Sequence, residues 1–278
     1  MAIITISRGS FSGGTQLADH IAQKLSCTHI SREMLVNIAE EKGVSLKKLS
    51  RALEEKPGLL ESMTERVHYL TYIQQALARA VQKEENVVYD GLAGHLLLKG
   101  VPNLLRVKVI ADMEYRIEAV MERMGYTKRE EAINFIKNVD AKREKWTRAL
   151  YQCDWKDPFL YDLTINLEQM SIAGASEIVC HTASLEEFKR TSEMQQKIDD
   201  FVLCTDARAA VASDFRIHDS GIEVEARDGT ILLTGTVENL EQGAMVGEVI
   251  GRIPGVEAVH SQMQTRTAPL DPFKRKRA

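Results

Sequence analysis

The stretch AIITISRGSFSGGTQLADHIAQKL, residues 2–25, limits the fold more than any other part of the chain. Residues 2–7 are short, apolar and β-branched, as a buried parallel strand should be. A serine–glycine turn then leads into TQLADHIAQKL, where Ala18, Ile21, Ala22 and Leu25 recur at i, i+3, i+4 and i+7 and share one helical face. Strand, glycine-rich turn and helix in that order set backbone N–H groups at a helix N-terminus, a natural place for an anion. On the phosphate-loop pattern G-x-x-x-x-G-K-S/T, Arg8 stands at the first glycine and Gly13 at the second. Gly14 stands at the lysine and Thr15 at the hydroxyl. The lysine's charge is therefore absent, and Arg8 is the nearest replacement, since its planar fork suits phosphate. The alternative is a glycine–serine turn that binds nothing.

Strands and helices alternate through the first two hundred residues. NVVYDG (86–91), LLRVKVIA (104–111) and DLTINL (162–167) read as strands. Polar, lysine-rich helical sequence runs to about Lys83 with a break at Pro57-Gly58. MEYRIEAVMERMG reads as a helix closed by Gly125. Thr127 and Glu130 fit a capping box that opens a charged helix to about Tyr151, and a further helix is expected from about Ile172 to Phe201. The alternation predicts an α/β fold, a parallel sheet covered by helices on both faces. In such folds the ligand sits at the carboxyl ends of the strands, where the quoted turn lies.

The pattern changes after about residue 204. GIEVEARDGTILLTGTV alternates with period two around Asp228-Gly229, a hairpin signal. The helix NLEQGAMVGEVIGRI and the strand VEAVHSQMQ follow. The predicted organisation is 1–203, a second small α+β domain at 204–267, and a basic, disordered tail at 268–278.

Net charge is −4 at pH 7, and only the terminal KRKR is strongly basic, so nucleic acid is not an expected partner. Four scattered cysteines form no C-x-x-C pair, which argues against zinc and for a reducing compartment. MAIITISRG reads as a strand rather than an export signal, and no apolar stretch approaches the ~20 residues of a membrane span. The expected location is the cytoplasm.

ITISRGSFSGGTQLADHIAQKL resembles the opening of the cytidylate-kinase-like family of phosphate-loop proteins, which carry Ser-Arg and a Ser-Gly-Gly loop without the lysine. The similarity continues at ISREML (30–35), VVYDGLAGHLL, RVKVIADMEYRIEAVMERMG and DAKREKWTRALYQCDWKDPFLYDLTINL, covering roughly residues 2–200 in order. Two departures bear on CMP as acceptor: Leu92 stands at the arginine of Asp-Gly-Arg, and Ser31 at an aspartate before Arg32. The resemblance implies ATP with Mg2+ and a small-molecule acceptor such as a nucleoside monophosphate. It implies nucleotide binding by Arg8, Gly9, Ser10, Ser12, Gly13, Gly14 and Thr15, with Thr15 also on the metal side. Arg32 and Arg116 are the acceptor- or nucleotide-binding candidates. Asp90 and the lid residues Arg143 and Arg148 are the catalytic ones. Bland alternatives stand beside each: an Asp-Gly turn for Asp90, and a solvated face with pairs such as Asp140 and Arg143 for the lid. His95 reads as a satisfied structural histidine. Asp162 reads either as the acid before the last strand or, like Asp157, as a cap or turn residue.

Residues IEVEARDGTILLTGTVENLEQGAMVGEVIGRIPGVEAVHSQMQ resemble a BON domain. The resemblance implies a binding module, in relatives often for phospholipid surfaces or small ligands, without catalytic residues. The sequence therefore points to ATP-dependent phosphoryl transfer with a BON module for binding or regulation. The alternative is a catalytically weak or inactive nucleotide sensor or interaction protein.

Overall fold

The computed structural model describes residues 2–31, 33–35, 37, 60–91, 93–151, 153–214, 216–217 and 221–266. The chain divides into two compact units, Met1–Asp199 and Asp200–Ala278.

The first unit is built on five parallel strands: β1 Ile3–Arg8, β2 Thr28–Ser31, β3 Val87–Asp90, β4 Leu104–Ile110 and β5 Leu163–Asn166, in the order β2-β3-β1-β4-β5. β1 is central, with Ile6 opposite Asp90 on one side and Val107 on the other. Its helices are α1 Gly14–Leu25, α2 Leu60–Lys83, α3 Gly94–Leu97, α4 Met113–Met124, α5 Arg129–Tyr151 and α6 Ile172–Ala183, followed by α7 Ser192–Ser213, whose residues from Asp200 onward belong to the second unit. One face of the sheet presents Ile4, Ile6, Val88, Leu105, Val107 and Val109 to α1 and α6, forming the main core.

The opposite face is not the continuous apolar surface expected of a buried parallel strand. Thr5, Ser7 and Lys108 are all buried. Ser7 Oγ bonds His95 Nδ1 at 3.0 Å. Lys108 Nζ donates to the Lys156 carbonyl at 2.9 Å and lies 5.4 and 5.1 Å from the Trp155 and Tyr161 ring centres. These contacts offset the desolvation of Ser7 and Lys108, while the Thr5 hydroxyl is buried without a partner. His95 is structural but only half satisfied, since its Nε2 is buried without a partner. Burial, reinforced by Arg106 and Lys108, lowers its pKa to about 4 and keeps it neutral.

Several boundaries differ from the sequence expectation. β2 is absent from that expectation, because THIS is too short to show a period. α5 begins at Arg129, later than a Thr127–Glu130 capping box allows, and the Lys128 carbonyl accepts the first bonds. The single helix expected from Ile172 to Phe201 is two, because the chain breaks after Ser184. Phe188 turns back onto the main core there, and Arg190 donates to the Val81 carbonyl at 2.9 Å. Gly125 does close α4, at φ 71°. Arg32, Leu92, the Pro57-Gly58 break and the basic tail at 268–278 lie outside the described residues.

The second unit pairs β6 Ile222–Arg227 with β7 Thr230–Val237 through a turn with Asp228 at φ 48° and Gly229 at φ 75°. Two positive φ values in succession are what the Asp-Gly hairpin signal requires. β8 Ala258–Ser261 and β9 Gln264–Thr265 both pair with β7, and α8 Leu240–Gly251 covers them, capped by Asn239. Leu203, Ala207 and Val211 of α7 join Val224, Ile231, Leu233, Val246 and Ile250 in its core.

Candidate functional site

β1 ends at Arg8, α1 begins at Gly14, and the five residues between them form the loop. Gly13 sits at φ 80°, open to glycine at little cost. It adds no side-chain cap, and no acid lies in the first turn of α1. The first N–H groups of the helix and its positive dipole end are thus left for an anion. A Cβ on Gly13 would meet Leu167, Tyr115 and Ile172 at 2.8–3.1 Å, so an aromatic and two aliphatic side chains flank the turn.

Arg8 and Gly14 form a complementary exchange. A Cβ at Gly14 would lie 2.3 Å from Arg8 Cδ and 2.8 Å from Arg8 Cβ. The arginine's stem therefore fills the space through which a lysine at 14 would have to leave the backbone. Its guanidinium bonds Asp90, with Nε and Nη2 each 3.0 Å from Oδ2. Thr15 Oγ1 donates to the same oxygen at 2.7 Å, and His29 Nε2 lies 3.0 Å from Oδ1. His29 Nδ1 in turn bonds Asp19 at 2.8 Å. Asp90 is 1% exposed. Burial opposes its ionisation, but the His29 bond, the Arg8 charge and the Thr15 hydroxyl outweigh it and hold its pKa at about 2. The bond to Asp90 raises the His29 pKa despite burial, aided by the charges of Asp90 and Asp19.

The other lip of the loop is tied to α4 and α5. Asp140 accepts from Ser10 N–H at 3.2 Å and from Ser10 Oγ at 2.9 Å, and pairs with Arg116 at 2.6 Å. Arg116 also donates to the Ser10 carbonyl at 2.7 Å and lies beside Gly9. Arg143, one turn beyond Asp140, donates to the Arg8 carbonyl at 3.0 Å. Phe11, at φ 57°, packs edge-on to Phe135 in a small cluster with Ile117, Val120, Ala132 and Ile136. Ser12 is fully buried, and its hydroxyl bonds the Gly9 carbonyl at 3.1 Å, stapling the loop from within.

The structure thus brings Arg8, Gly9, Ser10, Ser12, Gly13, Gly14, Thr15, Asp90, Arg116 and Arg143 to one locus. Arg148 is not brought there: it is exposed and pairs with Glu144 at 3.2 Å. Asp157 caps a short turn at Phe159, and Asp162 clasps Arg106 through both oxygens at 2.5 and 3.0 Å. Sequence reasoning missed His29, which carries no motif, and the reach of Asp140 across to Ser10. A separate cavity of about 310 Å³, lined by His95, Lys99, Arg106 and Asp162, involves the amino-terminal half of β4 and not the loop.

Thr15 and Asp90 are the residues a Mg2+ ion would call on. The ion needs oxygen lone pairs at about 2.0–2.1 Å in octahedral geometry. Thr15 retains lone pairs while donating to Asp90, but both Asp90 oxygens are engaged, by the Arg8 guanidinium and Thr15 on one and the His29 ring on the other. A metal held by this carboxylate does not fit the arrangement. Among the described residues there is no cluster of three or more His, Cys, Asp or Glu suited to a metal, and no helix is long and apolar enough to cross a membrane.

A parallel sheet in this order, with a phosphate-type loop leaving its central strand and an acid at the end of the neighbouring one, defines a kinase-like nucleotide fold of the phosphate-loop class. The chain belongs to the cytidylate kinase-like family, whose model matches residues 3–169, and residues 199–267 match the BON domain. It is 28% identical over 191 residues to a cytidylate kinase of Methanocaldococcus jannaschii, covering 68% of this chain and 99% of that one. It is 30% identical over 178 residues to a cytidylate kinase of Pyrococcus horikoshii, covering 64% and 85%. A crystal structure of an uncharacterized protein from Eubacterium ventriosum shares the fold, with a TM-score of 0.52 at 21% identity over 65% of this chain and 97% of that one. Family and fold together support a nucleotide-kinase-like function.

Proposed function

We propose that the first unit binds the phosphates of ATP at residues 8–15 and passes the terminal phosphoryl group to a small acceptor such as a nucleoside monophosphate. The BON domain serves as a binding or regulatory module, for a phospholipid surface or a small ligand. The observation that carries this reading is the exchange of Arg8 for the loop lysine, with Gly14 making room for it. Phosphoryl transfer asks little covalent chemistry of a protein; it asks for positioning and for positive charge where the phosphate oxygens gather. The uncapped N-terminus of α1 supplies amides and dipole. Arg8, 21% exposed at its side chain, supplies a guanidinium fixed by Asp90 and still open to solvent. Arg143 reaches the same strand end from α5 and adds a second cation. Tyr115, Leu167 and Ile172 beside Gly13 offer a surface for the rest of the nucleotide.

A nucleotide sensor without turnover is the second reading, favoured by the Asp140 carboxylate resting on the Ser10 amide. Calorimetric titration of the intact chain with ATP, then with each nucleoside monophosphate, tests the common part. No heat with ATP at millimolar concentration refutes both readings. Phosphoryl transfer abolished in Arg143→Ala with ATP binding retained supports the enzyme. ATP binding without transfer to any monophosphate supports the sensor.

A further inference from the structure

Asp90 is the acid that a kinase reading would assign to the metal, and its surroundings point elsewhere. An ionised carboxylate offers about four lone-pair positions. Three donor groups crowd Oδ2 here, Arg8 Nε, Arg8 Nη2 and Thr15 Oγ1, and a fourth, His29 Nε2, meets Oδ1, so both oxygens are engaged and one Oδ1 position is left. The residue is 1% exposed, so bulk solvent is kept from these positions. Arg8 is permanently charged. His29 stands between two carboxylates, with Nε2 3.0 Å from Asp90 and Nδ1 2.8 Å from Asp19. One buried negative charge therefore faces one fixed cation on Oδ2 and an imidazole on Oδ1.

We propose that Asp90 is the counter-ion that fixes Arg8 beside the loop, with His29 as the positioning residue that holds Asp90 there, and that the loop takes nucleoside polyphosphate as the free anion rather than as its metal chelate. This rests on the loop being a nucleotide site. A divalent ion arriving at Thr15 meets a carboxylate already neutralised, and Arg8 supplies in covalent form the charge that the ion would bring. His29 is suited to its role by place: β2 pairs with β3 so that Ser31 lies opposite Asp90, and His29, two residues back, turns to the same side beneath α1.

The test is calorimetric titration of the intact chain with ATP in EDTA and again in excess MgCl2. The expected result is equal or tighter binding in EDTA. In His29→Ala, Oδ1 loses its donor and is freed, so ATP binding should become stronger with Mg2+ than without it. His29→Gln, which can keep a donor on Oδ1, should stay indifferent to Mg2+. A purely structural histidine would weaken both titrations alike. A gain of about tenfold or more from Mg2+ in the unaltered chain overturns the proposal whatever the variants do. Absence of ATP binding in both media refutes the nucleotide reading itself, a different outcome from Mg2+-dependent binding.

Discussion

Placing a side chain on Gly14 tests the Arg8 exchange directly. Gly14 is the first residue of α1, and its replacement by Ala in an ordinary helix stabilises by about 0.5–1 kcal/mol. Here the new methyl group would sit 2.3 Å from Arg8 Cδ and 2.8 Å from Arg8 Cβ. The second atom lies at the root of the side chain, so a rotation of the guanidinium cannot clear it. Overpacking of this kind costs about 1–3 kcal/mol, and moving the arginine also loosens the Asp90 bonds. The net is a loss of about 1–2 kcal/mol, which for a unit of this size is roughly 2–8 °C in melting temperature. Arg8→Gly alone is also destabilising, because it takes one partner from a buried carboxylate. Combined with Gly14→Ala it relieves the clash, so the double variant should be more stable than the two losses predict by about 1 kcal/mol or more. Thermal melts followed by circular dichroism on the four proteins complete the cycle. Gly14→Ala as stable as the parent, or losses that simply add, would falsify the idea that arginine stem and missing side chain are one device.

Asp140→Asn removes a negative charge from the Ser10 amide while keeping an oxygen to accept its bond, so ATP affinity should rise by roughly tenfold; titration showing weaker binding counts against the loop as an anion site. Stability of the first unit should peak near neutral pH. His95, with its pKa lowered to about 4, stays neutral when folded, so stability is lost as pH falls from 6.5 toward 4. His29, with a raised pKa, contributes stability that is complete below 6.5 and is lost as pH rises through its folded value. Urea titrations across pH should show both limbs, and His29→Ala should erase only the alkaline one. In the second unit Gly235→Ala places a Cβ 1.9 Å from the Gly221 carbonyl oxygen at φ 101°. Strain and overlap together should cost about 2–5 kcal/mol, seen as loss of the unit's cooperative melt; an unchanged melt contradicts that geometry.

What the sequence made legible was local. The strand–turn–helix at 2–25, the hairpin at Asp228-Gly229 and the αL closure at Gly125 each depend on residues within a few positions of one another, and each is present. The polar face of the sheet was not readable, because Ser7, Lys108 and His95 become partners only after strands pair across 88 and more residues. The same holds at the site. Arg8 could be chosen as the lysine's substitute from its place in the loop pattern, but the steric link to Gly14 needs the backbone turn. His29 has no neighbour in sequence that marks it, since its two partners lie 10 and 61 residues away. The helix break after Ser184 escaped for a similar reason: the tertiary pull of the core on Phe188 overrode a helical stretch.

Phe11 gives the loop an unusual mechanical root. Its ring is embedded in the small cluster that holds α4 against α5, so the glycine turn and that helical hairpin are fastened at their tips as well as at their base. A glycine-rich segment left alone would sample many shapes; this one inherits the rigidity of two helices. Loosening the hairpin at Ile136 or Ala132, on the helical side of the Phe11 cluster, should therefore blur the cradle, and amide exchange at Ser10 and Phe11 should keep time with the hairpin instead of with the sheet.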